Sequence, residues 1–294
     1  MKIARVLYEN EPTVVVVRDG MAYSVPSALG MESSRVEGEF YSIPTLMSNA
    51  TLKNPLGDFA TMDKLIPLPD VLSIRDFYAF ETHVREARKK RGLDMAPEWY
   101  RYPVFYFSNT SNLYPSGSSV PIPSYTREMD FELEIAMVIG KEGKNIKAED
   151  AWNYVFGFMI ANDWSARDIQ REEVKVGLGP AKAKDFATSL GPLIVTTDEI
   201  LRKRQSNGKI NMNVSATVNG TRYSSANLNS IYWDIERLIE WASLESRLRA
   251  GDVIMTGTVG TGCILESGEH PWLKGSDRVV LFADDIGQLE NVVV

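Results

Sequence analysis

The stretch Asp130-Phe131-Glu132-Leu133-Glu134-Ile135-Ala136-Met137-Val138-Ile139-Gly140 constrains this chain more than any other. Read as a β-strand, its period of two places Phe131, Leu133, Ile135, Met137 and Ile139 on one face. Glu132, Glu134, Ala136 and Val138 fall on the other, which turns from acidic to apolar and so reads as buried beyond Glu134. Carboxylates two residues apart on a strand have backbones about 7 Å apart, close enough for both side chains to reach one cation. A buried like-charged pair is costly unless a cation compensates it. An exposed amphipathic edge strand would carry the same Glu-x-Glu, so the pair needs company before it names a metal site.

That company is offered by Asn162-Asp163-Trp164-Ser165-Ala166-Arg167-Asp168-Ile169-Gln170, which follows the apolar run Phe156 to Ala161. Asp163 stands where a strand gives way to a helix expected over 164–173. Asp163, Arg167 and Gln170 then have i, i+4, i+7 spacing on one helical face, a stripe able to hold a metal and an anionic substrate. A planar, permanently charged Arg suits a carboxylate group. The alternative is a solvated helix with an N-cap aspartate and an Asp163–Arg167 pair.

His83 is one of two histidines. Residues 73–91 have helical composition and end in basic residues followed by Gly92. If 76–83 is helical throughout, Asp76 and His83 lie two turns apart on one face, where a carboxylate beside an imidazole makes a general base. A surface histidine on a charged helix is the alternative, and His270 in a polar loop offers less. The segment Gly251 to Gly262 reads as a strand leading into a Gly/Thr loop. It lacks the Gly-Lys-Ser/Thr ending of a nucleotide-binding loop, but its backbone amides and Thr258 could cap an anionic substrate; a plain turn is the alternative.

Further strands are expected at 131–140, 155–161, 192–197, 211–218, 252–256 and 278–283, a short one at Val104 to Phe107, and a second helix at 230–246. The first residues read as a small β-rich unit, with Val14 to Val17 and Met21 to Val25 joined by an Asp19-Gly20 hairpin turn. Pro67, Pro69 and Asp70 then break the pattern. We therefore expect a small β-rich domain over residues 1–68 and a catalytic domain over 69–294, of α+β, β-rich class.

The net charge of -7 argues against a nucleic-acid partner, and the run Arg85 to Arg91 reads as a helix end. No apolar stretch is long enough to span a bilayer, and no signal peptide opens the chain. The single cysteine, Cys263, excludes an internal disulfide and favours a cytoplasmic location.

These stretches together resemble the fumarylacetoacetate hydrolase family from about Asp76 to the C-terminus. The string Asn-Asp-Trp-Ser-Ala-Arg-Asp-Ile-Gln at 162–170 is specific to it. The resemblance implies a mixed β-sandwich roll of the fumarylacetoacetase C-terminal type, a homodimer, and a metal at the mouth of the roll held by Glu132, Glu134 and Asp163. Toward the fumarylacetoacetase branch it implies Asp76 before a catalytic helix, His83 seven residues on, and Glu266 pairing with that histidine. It also implies Arg167, Gln170 and Lys184 as substrate contacts, Tyr78 and Tyr106 as pocket tyrosines, and Thr188 near the metal. The Gly179-Pro180 segment before Lys184 is one residue longer than the family pattern, which brings Lys182 in as its substitute. Phe107-Ser108-Asn109 replaces a Lys-Pro of smaller members, and the 259–266 loop is shorter than in fumarylacetoacetase.

Three carboxylate ligands make a hard, all-oxygen site, for which Mg2+ is expected, with Mn2+ or, if Asp76 is a fourth ligand, Ca2+ as alternatives. The function expected is hydrolytic C–C cleavage of a fumarylacetoacetate- or acylpyruvate-like 1,3-diketo acid through an enolate, with water activated by His83 and Glu266. The alternatives are 2-oxo acid decarboxylation, as of oxaloacetate, 2-oxo-pentenoate hydration, 2-oxo-heptenedioate isomerisation, and binding of metal or small acids without catalysis.

Overall fold

The strand that carries Glu134, with Glu132 just before its start, lies deep inside the largest sheet of the protein. In the computed structural model, which describes residues 1–294, Leu133–Ile139 runs antiparallel to both of its neighbours, Val155–Asp163 and Asp252–Met255. Outward from this centre the sheet continues on one side through Thr188–Thr196, Lys2–Tyr8, Glu11–Arg18 and Met21–Ser24. On the other side it runs through Ser73–Phe77 to Phe105–Ser108.

Every residue of Leu133–Ile139 is buried, and its period of two divides two cores. Phe131, Leu133, Ile135, Met137 and Ile139 enter the larger core, while Ala136 and Val138 join Met159, Ala161, Val253 and Met255 in the smaller. The larger core fills the space up to a second, five-stranded sheet built around Asn213–Val218, Arg278–Ala283 and Gly287–Val293. Val36, Phe40 and Ile43, from the helical segments after the N-terminal strands, close the smaller one. The architecture is α+β and β-rich, two packed sheets with short helices over the outer face of the larger one.

The hairpin at Asp19-Gly20 forms, both residues having positive φ (50° and 79°) as a tight two-residue turn requires. Helices Val25–Leu29, Ser33–Gly38 and Ile43–Leu46 fill much of the segment expected to be β-rich. Lys2–Tyr8 pairs with Thr188–Thr196, so the N-terminal strands extend the large sheet.

Three helix expectations need correction. Residues 73–91 are not one helix: Ser73–Phe77 is a strand parallel to Asp252–Met255, and the helix spans only Glu81–Lys90. Buried Ile74 and Phe77 satisfy the sheet, and that burial overrides a charged, helix-like composition. Asp76 and His83 therefore do not share a helical face. In the second motif Asp163 ends its strand, Ser165–Ala166 pairs with Met129–Asp130, and the helix begins only at Arg167. Asp163 is neither its N-cap nor on its stripe, since Ala166 holds the cap position. The helix expected over 230–246 is shorter, Ile235–Ser243.

The strand directions bring distant residues to one end of the sheet. Asp163 is the last residue of its strand and pairs with Thr188, the first of the next. Glu134 pairs with Ala161 near the start of its own strand. Asp76 lies beside Met255 and opposite Tyr106, near the end of its strand. The antiparallel pairings, together with the parallel pairing of Ser73–Phe77 on Asp252–Met255, bring these functional ends to the same end of the sheet.

Candidate active site and metal centre

At that end of the sheet opens a cavity of about 480 Å³. It is lined by Asp76, Glu132, Glu134 and Asp163 at its base and by Tyr78, His83, Tyr106, Arg167, Gln170, Lys184 and Thr258 around them. Thus the expected metal ligands line one cavity together with Arg167, Gln170, Lys184, His83, Tyr78, Tyr106 and Thr258; Thr188 and Lys182 do not, and Glu266 stands directly behind His83.

The carboxylates divide into two groups. Oxygens of Asp76, Glu134 and Asp163 lie within 4.8 Å of one another. Glu132 is already engaged: Oε1 accepts from Arg167 Nη2 at 2.7 Å and Oε2 from Lys184 Nζ at 2.5 Å. Burial alone would raise the Glu132 carboxyl, but Lys184, Arg167 and His83 outweigh it and hold it well below the ordinary range. Asp76 and Glu134 go the other way. Burial raises both, with Asp163 adding to the rise at Asp76 and Asp76 to that at Glu134.

Glu134 is held by the turn after Asp252–Met255: Gly257 N–H donates to Oε2 at 2.9 Å and the Thr258 hydroxyl lies 3.5 Å from Oε1. Only glycine fits at 257, where φ is +82° and a Cβ would lie 2.2 Å from the Phe77 carbonyl oxygen. Asp163 Oδ2 accepts from Lys184 at 2.5 Å and from the Tyr106 hydroxyl at 2.6 Å, whereas its Oδ1 is buried without a partner. The Tyr106 oxygen also lies 3.2 Å from Asp76 Oδ2. An orphaned carboxylate oxygen between two buried, like-charged carboxylates fits a divalent cation, and an all-oxygen donor set fits a hard one. Asp76, Glu134 and Asp163 could hold such an ion, with Glu132 adjoining.

Lys184, not Lys182, enters the site. Burial works against its charge, but Asp163 and Glu132 outweigh burial and keep it an ammonium. Lys182 is exposed and pairs with Asp185. Arg167 is 2% exposed and gives Nε to Asp130, Nη2 to Glu132 and Nη1 to Gln170 Oε1. The Asp163–Arg167 pair of the alternative, solvated-helix reading is not formed; these contacts take its place. Asp130 was given no role from sequence, yet its oxygens also accept the N–H groups of Ile264 and Leu265 and so fasten the loop carrying Glu266. Its adjacency to the Glu-x-Glu pair was the available signal.

His83 Nδ1 lies 2.6 Å from Glu266 Oε1, and its Nε2 lies 3.9 Å from Glu132 Oε1. Glu266 Oε2 accepts the Thr261 N–H at 2.8 Å, which orients it. Tyr78 meets the imidazole edge-on at 5.3 Å between ring centres, and burial pushes its hydroxyl up to about 12. Thr188 is buried beside Asp163, across from the Ser108 hydroxyl.

Fold and site together define an α+β, β-rich protein with a carboxylate-floored cavity at one end of its large sheet. The chain belongs to the fumarylacetoacetate hydrolase family, whose C-terminal domain it matches over residues 73–294. It is 36% identical over 193 residues to the mitochondrial oxaloacetate tautomerase of Xenopus laevis, covering 65% of this chain and 58% of that protein. It is 29% identical over 292 residues to the fumarylacetoacetase of Arabidopsis thaliana, covering 81% and 69%. The chain therefore spans less than two thirds of the tautomerase's length. The fold matches the fumarylacetoacetate hydrolase of Exiguobacterium antarcticum with TM-score 0.79 at 22% identity, over 100% and 99% of the two chains. Maleylpyruvate hydrolase from Sphingobium gives TM-score 0.73 at 21% identity, over 100% and 99%. No helix is long and apolar enough to cross a membrane.

Proposed function

We propose that this protein hydrolyses a carbon–carbon bond in an acylpyruvate-like 1,3-diketo acid. The observation that carries the reading is the buried His83–Glu266 pair, 2.6 Å apart at the wall of the carboxylate-floored cavity. With Nδ1–H donating to Glu266, Nε2 keeps its lone pair and takes a proton from water. The water oxygen bonds to the acyl carbonyl carbon, and the bond from that carbon to the neighbouring methylene breaks. The electron pair stays on the methylene, which takes up a proton, so the products are a carboxylic acid and pyruvate.

Mg2+, Mn2+ or Ca2+ held by Asp76, Glu134 and Asp163 would polarise the two keto oxygens and stabilise the departing enolate's charge. Lys184, Arg167 and Gln170 line the cavity and supply positive charge and amide hydrogen bonding for the 2-oxo acid end. Thr258 and Gly257 keep Glu134 turned toward Asp76 and Asp163. Tyr78 and Tyr106 wall the remaining sides.

The test is product identification with magnesium-loaded protein. Acylpyruvates should yield equimolar pyruvate and carboxylic acid. A protein that cleaves none of them has another function. A second reading is favoured by the 36% identity to oxaloacetate tautomerases. In it the His83–Glu266 pair moves a proton between carbon and oxygen of a 2-oxo acid and no bond between carbons breaks. Loss of oxaloacetate enol absorbance without pyruvate formation would select it.

A further inference from the structure

We propose that His83, Cys263 and Glu266 form a second cation site, distinct in chemistry from the oxygen cluster, at which a thiophilic divalent metal such as Zn2+ shuts the enzyme off. A ring nitrogen of His83, Sγ of Cys263 and a carboxylate oxygen of Glu266 lie within 4.8 Å of one another, and all three residues are buried. Sγ is 3.6 Å from the Glu266 Oε1 that lies 2.6 Å from Nδ1. Donors around one zinc sit about 2.0–2.3 Å from it, hence roughly 3–4 Å from each other, so small rotations of these side chains complete a three-donor set.

The frame holding them is rigid. Cys263 bridges Glu132 across the backbone, and Leu133 N–H donates to Gly262 O at 3.0 Å. Asp130 clamps the next two amides, at 2.9 and 3.1 Å. His83 reaches the trio from a separate helix and lines the open cavity, which gives a metal its path in.

The two clusters sort cations by softness. Asp76, Glu134 and Asp163 offer oxygen alone, suited to Mg2+, Mn2+ or Ca2+, whereas imidazole, thiolate and carboxylate together suit Zn2+, Cd2+ or Co2+. Binding releases the thiol proton to solvent, shifts the imidazole proton from Nδ1 to Nε2, and turns Glu266 from the imidazole to the metal. His83 is then fixed as a ligand, without the carboxylate that positions it. The inhibitory part of this inference rests on the reading of His83 as the base; the metal site itself does not.

The test uses the full chain loaded with saturating Mg2+. Zn2+ titrated against turnover should lower the rate more than tenfold, and Cys263→Ala and Cys263→Ser should each raise the half-inhibiting concentration at least roughly tenfold while keeping basal activity within about twofold. Co2+ added to the magnesium-loaded protein should give a thiolate-to-metal charge-transfer band that both variants lack. No band in the unsubstituted protein, or equal zinc inhibition of the variants, overturns the site. A cysteine-dependent band without loss of rate upholds the metal site and overturns His83 as the base.

Discussion

His83 Nδ1 and Glu266 Oε1 meet at 2.6 Å although 183 positions separate them in the chain. With Nδ1–H donating to Glu266, as the proposed mechanism requires, Nε2, the nitrogen nearer Glu132, is left as the acceptor. If this pair is the base, His83→Ala should lower kcat about a hundred- to ten-thousand-fold on an acylpyruvate with little change in KM. Glu266→Gln should lower it less, because the imidazole remains. Steady-state kinetics on both variants check this, and an unchanged kcat in His83→Ala would sink the role.

Asp163 Oδ1 is buried and unpartnered, so a cation there should stabilise the fold by mass action. At a hundredfold excess over Kd the gain is about 2.7 kcal/mol, several degrees in Tm for a chain of this size. Differential scanning should show that shift with Mg2+ or Mn2+, its reversal by a chelator, and its loss in Asp163→Asn.

Lys184 and Lys182 offer a controlled comparison. Lys184→Met leaves Glu132 and Asp163 without their shared ammonium, and breaking a buried pair in this way costs about 3–5 kcal/mol in the metal-free protein. Lys182→Met, on the surface, should stay within about 0.5 kcal/mol of the original. Urea denaturation measures both, and equal effects would reverse the assignment.

Gly257→Ala should be among the more damaging single-methyl changes in the protein. The positive φ alone costs about 1–3 kcal/mol for an L side chain, and the new Cβ would press on Phe77 O. Since Gly257 N–H holds Glu134, loss of metal-dependent stabilisation should accompany the loss of stability. Chemical denaturation with and without Mg2+ reads both.

Asp168 supplies a pH dependence outside the cation cluster. Burial tends to raise its carboxyl, but the Thr126 hydroxyl and the Arg127 and Ile169 amides outweigh that and hold it below the ordinary carboxylate range. A depressed folded value means stability that is present above the unfolded value near ~3.9 and lost as pH falls through the folded one. Asp168→Asn should therefore be less stable at neutral pH and show a flatter acid limb below about pH 4. Thermal melts across that range decide it.

Sequence alone determined the elements whose signal is local. The 131–140 alternation specified a strand with a correct division of faces, because side-chain direction on a strand follows from position alone. Asp19-Gly20 specified its turn, because few residue pairs tolerate two positive φ angles. The motif at 162–170 carried the family, since its residue order survives whatever the fold does with it.

Tertiary structure decided the rest, because it depends on partners distant in the chain. Asp76 lies on a strand, not a helix, only because Asp252–Met255 accepts Ser73–Phe77 beside it. Glu132 pairs with Arg167 and Lys184 while Asp76 joins Glu134 and Asp163, a division that no spacing within Glu-x-Glu encodes. It arises where the strand directions, antiparallel except for Ser73–Phe77 on Asp252–Met255, bring strand ends together, and there the desolvation of each carboxylate depends on which cation the fold delivers to it.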